Sequence, residues 1–96
     1  MAVGATASRM LKVGNSMGLH ARPAAQLVHL ANRFKSDLKF YRAGEGGREA
    51  DCRSVLAMLM LAACKDTELE LRASGEDAAD AVETLAGYFD RNFDEK

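Results

Sequence analysis

Several common chemistries find no material in this chain. Positive charge is not in excess: 13 Lys and Arg stand against 14 Asp and Glu, a formal net charge of -1. A nucleic-acid protein usually carries a basic patch or stripe, so the balance argues against that class. No apolar run approaches the roughly 20 residues of a membrane span. Met1 to Ser8 is small and near neutral, without the apolar stretch of a secretory signal. The expectation is a cytoplasmic protein with no membrane insertion. The only two cysteines, Cys52 and Cys64, are twelve positions apart with no CxxC, and read as reduced, semi-buried thiols. The two histidines, His20 and His29, are nine apart rather than at the i, i+4 spacing of a zinc pair. No metal site is expected, and no cofactor motif or catalytic triad is present. His29 reads as an exposed polar-face residue.

What is present fits one domain. Ninety-six residues, 48% hydrophobic and 28% charged, describe a globular chain with a modest core and no linker or repeat. Residues 1–8 read as a disordered leader and 9–93 as the domain. Met10 to Val13 is a strand candidate closed by Gly14-Asn15-Ser16. From Pro23, the only proline, the apolar positions Ala24, Leu27, Val28, Ala31 and Phe34 follow a helical stripe. The residue before a proline avoids the helical region, which puts Arg22 at or before the cap. Leu38 to Arg42 alternates as a strand, Gly44 to Gly47 is a turn, and Arg48 to Cys52 is a weak return strand. Ser54 is a good N-cap for the helix-forming run Val55 to Ala63. Thr67 to Arg72 alternates, and a last helix follows Gly75-Glu76-Asp77 with the stripe Ala78, Ala81, Val82, Leu85 and Phe89. The order β-α-β-β-α-β-α predicts a two-layer α/β sandwich, for which the pattern alone leaves a ferredoxin-like arrangement open.

Two segments stand out. Gly18-Leu19-His20-Ala21-Arg22-Pro23-Ala24-Ala25 sets a histidine and an arginine two apart at a helix start. Unpaired N–H groups and the helix dipole favour an anion there, and a guanidinium fork suits phosphate. Imidazole is a competent nucleophile near neutral pH, so the anion could be bonded to His20 itself. The second segment, Val55 to Ala63, has nine apolar residues and no charge, more than one face of a short helix can bury. A split is expected, with one face in the core and one left as a partner surface. Ser54 at its start reads as a cap, and alternatively as a phosphorylation site.

On these two motifs the chain resembles the phosphocarrier protein HPr family of the bacterial phosphoenolpyruvate-dependent phosphotransferase system. The likeness runs over about residues 9 to 92. The second motif extends from Gly47-Arg48 through Arg53-Ser54-Val55-Leu56 to Met58, Leu61 and Ala62. The resemblance implies an open-faced α/β sandwich, a four-stranded sheet of order 1-4-2-3 with three helices on one face. It implies a phosphoryl carrier, not an enzyme with its own turnover. His20 would accept a phosphoryl group on Nδ1 from phosphorylated enzyme I and pass it to an enzyme IIA-type acceptor. Arg22 would neutralise phosphate charge, and backbone N–H groups from Ala21 to Ala24 would cradle its oxygens. Pro23 and the exposed Val55, Leu56 and Leu59 would meet partners, and Ser54 matches a site that a serine kinase and phosphorylase act on in some bacteria. No cofactor is implied, and the carrier is expected to be a monomer. Two departures stand out: Lys65-Asp66 where relatives often carry glycines, and Arg53 where lysine is commoner.

Overall fold

Alternation along the strands decides which face of the sheet the helices cover. In the computed structural model, which describes residues 5–44 and 47–95, the elements run β1 (Thr6–Lys12), α1 (Ala21–Ala31), β2 (Asp37–Arg42), β3 (Arg48–Asp51), α2 (Val55–Leu59), β4 (Glu68–Ser74) and α3 (Ala78–Asp90), with a 3-10 turn at Asn92–Asp94. The sheet order is β1-β4-β2-β3, every pair antiparallel. That is the order the resemblance implies, and it replaces the ferredoxin-like alternative. Leu69, Leu71 and Ala73 of β4, Leu38 and Phe40 of β2, Leu11 of β1 and Ala50 of β3 all point to the buried side. Against them lie Ala24, Leu27 and Ala31 of α1 and Ala81, Leu85 and Phe89 of α3. These helical positions recur at the period that keeps one stripe inward. The intervening strand residues form an open polar face, where the Arg72 guanidinium lies 3.9 Å from the centre of the Tyr41 ring.

Three departures from the expected boundaries have an identifiable cause. First, β1 starts at Thr6 rather than Met10. Thr6, Ala7 and Ser8, assigned above to a disordered leader, pair with Ser74, Ala73 and Arg72. All of Thr6 to Met10 but Ala7 is exposed, so no alternation announces the strand; pairing with β4 extends it. Residues 1–4 of that leader, and Glu45 and Gly46 of the β2–β3 turn, lie outside the described residues. Second, α1 begins at Ala21, so Arg22 is inside its first turn, against the bias of a residue before proline. Pro23 is tolerated as the third helical residue because N–H groups there have no intrahelical acceptor.

Third, α2 ends at Leu59 instead of running to Ala63. Ala62 has φ of 53°, in the left-handed region where a helix cannot continue. Arginines from the neighbouring hairpin take over the freed carbonyls. Arg42 Nη1 donates to Leu61 O at 2.6 Å and Ala62 O at 2.9 Å, and Arg48 Nη1 to Met60 O at 3.3 Å. These are long-range caps that no local pattern encodes. Arg53 does the same for α1, its Nη2 donating to Ala31 O at 2.9 Å and Phe34 O at 2.7 Å. It thereby ties the end of α1 to the start of α2.

Candidate functional site

His20 is the N-cap of α1, with extended backbone (φ -97°, ψ -173°). Its ring makes no capping hydrogen bond, so neither ring nitrogen is committed to the helix. The carbonyl of His20 accepts the first helical bond, from Ala24 N at 3.1 Å. This corrects one expectation: the Ala24 N–H is already committed to the helix, and Pro23 has none. The backbone donors of the first turn that remain for an anion are those of Ala21 and Arg22. They sit at the positive end of an 11-residue helix with no acidic residue in its first turn. Arg22 is exposed and forms no ion pair with the described residues. A cation at a helix N-terminus opposes the dipole, which makes sense at a place that receives negative charge. Pro23 is buried beneath this turn, which corrects its expected role as a partner contact. It packs inward and shapes the start of the helix.

The loop before His20 is built on a close approach. Gly18 has φ of 71°, and a Cβ there would come 2.6 Å from Ala63 O and 2.9 Å from Cys64 Cα. Only glycine fits both the conformation and the space. Leu19 N donates to Ala63 O at 2.9 Å, and His20 N turns back to Gly18 O at 3.0 Å. The histidine loop therefore rests on the chain that leaves α2, which joins the two sequence motifs physically. The following turn also departs from the usual chemistry. Asp66 stands at φ 72°, a conformation that favours glycine, with Thr67 N donating to Cys64 O at 3.0 Å.

The apolar run after Ser54 is split as expected. Met58, Leu61 and Ala63 are buried, whereas Leu56 is 69%, Met60 67% and Leu59 38% exposed. Each large apolar side chain left in water forgoes about 1.5–3 kcal/mol of burial, a sizeable sacrifice in a small domain. Val55, expected to be exposed, is half-buried against the core. Met17, 70% exposed in the histidine loop, and Met60 are further exposed apolar side chains that were not anticipated. A methionine beside a glycine-bounded histidine loop is the signal that could have found the first. Ser54 caps α2, its Oγ accepting from Ala57 N at 3.0 Å.

Two further residues at the histidine were not visible in the sequence. Glu95 Oε2 lies 2.8 Å from His20 Nε2. Its other oxygen, Oε1, accepts from Asn15 Nδ2 at 2.8 Å, and the same amide donates to Gly18 O at 2.9 Å. Glu95 is thus part of the site although it lies past the expected domain end at residue 93. The charges of Asp94 and Glu95 add to burial in raising the Tyr88 phenol above its ordinary range, against the opposing pull of Arg91 and Arg22.

The remaining candidates lie elsewhere. His29 is exposed in the last turn of α1, where a cation would suit the dipole. Cys52 is buried and Cys64 exposed, so the thiols are not alike; both are free. A concavity of about 580 Å³ opens on the polar face of the sheet beside Lys39, Tyr41 and Arg72. None of the predicted site residues lines it.

Comparison with known proteins gives this geometry a family. Residues 7–91 match the model of the PTS HPr component phosphorylation site. The chain is 37% identical to phosphocarrier protein NPr of Proteus mirabilis (strain HI4320), over 94% of this chain and 98% of that one. It is 38% identical to phosphocarrier protein HPr of Pseudomonas putida, over 92% and 96%. Its fold superposes on the crystal structure of phosphocarrier protein HPr from Bacillus anthracis str. Ames with a TM-score of 0.78 at 32% identity, covering 88% of this chain and 96% of that one. With the 1-4-2-3 sheet and the match across nearly the whole chain, this protein belongs to the HPr family of phosphocarriers of the phosphotransferase system.

Proposed function

We propose that His20 carries the phosphoryl group. It takes the group on Nδ1 from phosphorylated enzyme I and passes it to an enzyme IIA-type acceptor, as a cytoplasmic monomer serving sugar uptake or nitrogen-type regulation. The observation that carries this reading is the His20 ring at the entry of α1, making no capping bond, beside two backbone donors and an exposed Arg22 that forms no ion pair among the described residues. Phosphoryl transfer relies on positioning and charge stabilisation more than on covalent machinery. One guanidinium and one helix end form a moderate cradle, suited to a group that must be handed on. Leu56 and Leu59, with Met17 and Met60, supply the apolar surface that donor and acceptor would meet in turn. The test is intact mass after incubation with phosphoenolpyruvate and enzyme I. One acid-labile phosphoryl group should appear and be absent from His20→Ala; a phosphoryl group that survives the substitution refutes the assignment.

A second, regulatory reading attaches to Ser54. Its hydroxyl is spent on the cap, so phosphorylation would exchange that bond for about -1.5 to -2 charges beside Leu56. The carrier would then meet an acidic or phosphorylated partner less readily. A serine kinase with ATP should leave an acid-stable phosphate that is missing in Ser54→Ala. Without it, Ser54 remains a cap alone.

A further inference from the structure

The C-terminal turn is built at some expense, and it delivers one side chain. Asn92, Phe93 and Asp94 have φ of 53°, 58° and 56°, three consecutive non-glycine residues in the left-handed region. Asparagine and aspartate tolerate that conformation, but phenylalanine does so only under constraint. Phe93 is held by its neighbours, its ring centre 4.8 Å from that of Phe89 and 5.3 Å from that of Tyr88. Arg91 Nε donates to Asp94 Oδ1 at 2.8 Å, and Glu95 N to Asn92 O at 3.0 Å, which closes the turn. The product of this strain is the placement of Glu95 against His20 Nε2. On the far side, Asn15 is 3% exposed, and its Oδ1 finds no partner among the described residues while its amide nitrogen serves Glu95 and Gly18. A buried acceptor left unpaired is a cost that needs a reason. Strain and an unmet hydrogen bond thus both fall on the residues that fix one carboxylate.

We propose that Glu95 is a positioning residue for His20, holding the ring as the Nε2–H tautomer so that Nδ1 carries the lone pair. The proposal rests on the carrier reading above and names the group that prepares its nucleophile. Which nitrogen of an imidazole keeps the proton is set by the hydrogen bond that the other makes. A carboxylate can only accept, so Nε2 must donate to it. In the transfer the Nδ1 lone pair forms the N–P bond as the bond from phosphorus to the donor's leaving atom breaks, its electron pair departing with the donor. The proton stays on Nε2, and the positive charge gained by the ring faces the Glu95 carboxylate. In the onward step the N–P bond breaks, its pair returning to Nδ1. A ring that has kept its Nε2 proton leaves as neutral imidazole rather than imidazolate, the better leaving group.

The tautomer is read without any phosphoryl donor, from the nitrogen shifts and long-range proton couplings of the His20 ring near neutral pH. The unmodified protein should give a protonated Nε2 and a bare Nδ1. Glu95→Ala should move the ring toward a mixture of both tautomers, with the backbone spectrum otherwise kept. Glu95→Gln retains an acceptor but not the charge, and should hold more of the Nε2–H form than Glu95→Ala. Phosphoryl uptake from enzyme I should slow roughly tenfold in Glu95→Ala, the low end of what losing a carboxylate partner costs at metal-bound histidines. A ring that is Nδ1–H in the unmodified protein, or whose tautomer is unmoved in Glu95→Ala, overturns the proposal. Failure of the carrier reading would show differently, as phosphoryl uptake that persists in His20→Ala whatever the tautomer.

Discussion

The carbonyl oxygen of Ala63 occupies the space that a side chain at Gly18 would need, 2.6 Å from where its Cβ would stand. The same oxygen accepts the Leu19 N–H. The loop that bears the histidine and the chain leaving α2 are therefore locked together by one backbone atom. Gly18→Ala meets both a left-handed φ and a backbone collision, and neither can relax through a flexible side chain. It should destabilise the fold by about 1–3 kcal/mol in urea titration. It should also slow phosphoryl uptake by His20 in the protein that remains folded, because the loop must lift away from Ala63. Unchanged stability and uptake would mean that the loop is not held where it stands.

A second lock lies at the other end of α1. Asp77 accepts from Lys35 N at 2.8 Å, Ser36 N at 2.9 Å and Ser36 Oγ at 2.5 Å, tying the α1–β2 turn to the start of α3. The Ser36 hydroxyl first, then the Lys35 N–H, hold its carboxyl below the ordinary aspartate value. The sign follows from linkage: a carboxyl depressed on folding contributes stability above its unfolded value, near 4, and loses it as pH falls through the folded value. Asp77→Asn should be less stable than the unmodified protein at neutral pH. The difference in urea midpoint should narrow as pH drops below about 4.

Cys52 and Cys64 should part company chemically. Burial first, and then the negative charge of Asp51, push the Cys52 thiol far above its ordinary range, with Arg53 opposing. The thiolate is the reactive form, so Cys52 is both inaccessible and inert. Cys64 is exposed. A maleimide at neutral pH should add one label to the native chain, mapped to Cys64, and a second only in denaturant. Two labels on the native chain would mean that the α2 entry opens readily.

The parts of this structure that were legible in the sequence are those with a period. Ala24, Leu27 and Ala31 of α1, and Leu69 and Leu71 of β4, announce a stripe and an alternation, and both are buried as such. Ser54 announces its own cap. The misjudged features depend on contacts across the chain. The end of α2 is set by Arg42 and Arg48 from the hairpin, the start of β1 by pairing with β4, and the first turn of α1 by a tolerance for Pro23. At the candidate site, His20 and Arg22 drew attention in the sequence because their types and spacing suit an anion. Glu95 was not, because an acidic residue near a chain end has no pattern. It reaches His20 only through the left-handed turn anchored by Phe93.

Arg22 provides the sharpest separation of function from fold. Its side chain is exposed and forms no ion pair with the described residues, so Arg22→Ala should leave the urea midpoint nearly unchanged. Any shift should be a slight gain, since a cation opposing the helix dipole is removed. Phosphoryl uptake on His20 should nevertheless fall about tenfold or more, the equivalent of one charge-assisted hydrogen bond of roughly 1.5–3 kcal/mol to a transferring phosphoryl group. Arg22→Lys keeps the charge but not the planar fork, and should fall between the two. Uptake rates equal in all three proteins would remove the guanidinium from the cradle and leave the backbone donors of Ala21 and Arg22 to hold the phosphate alone.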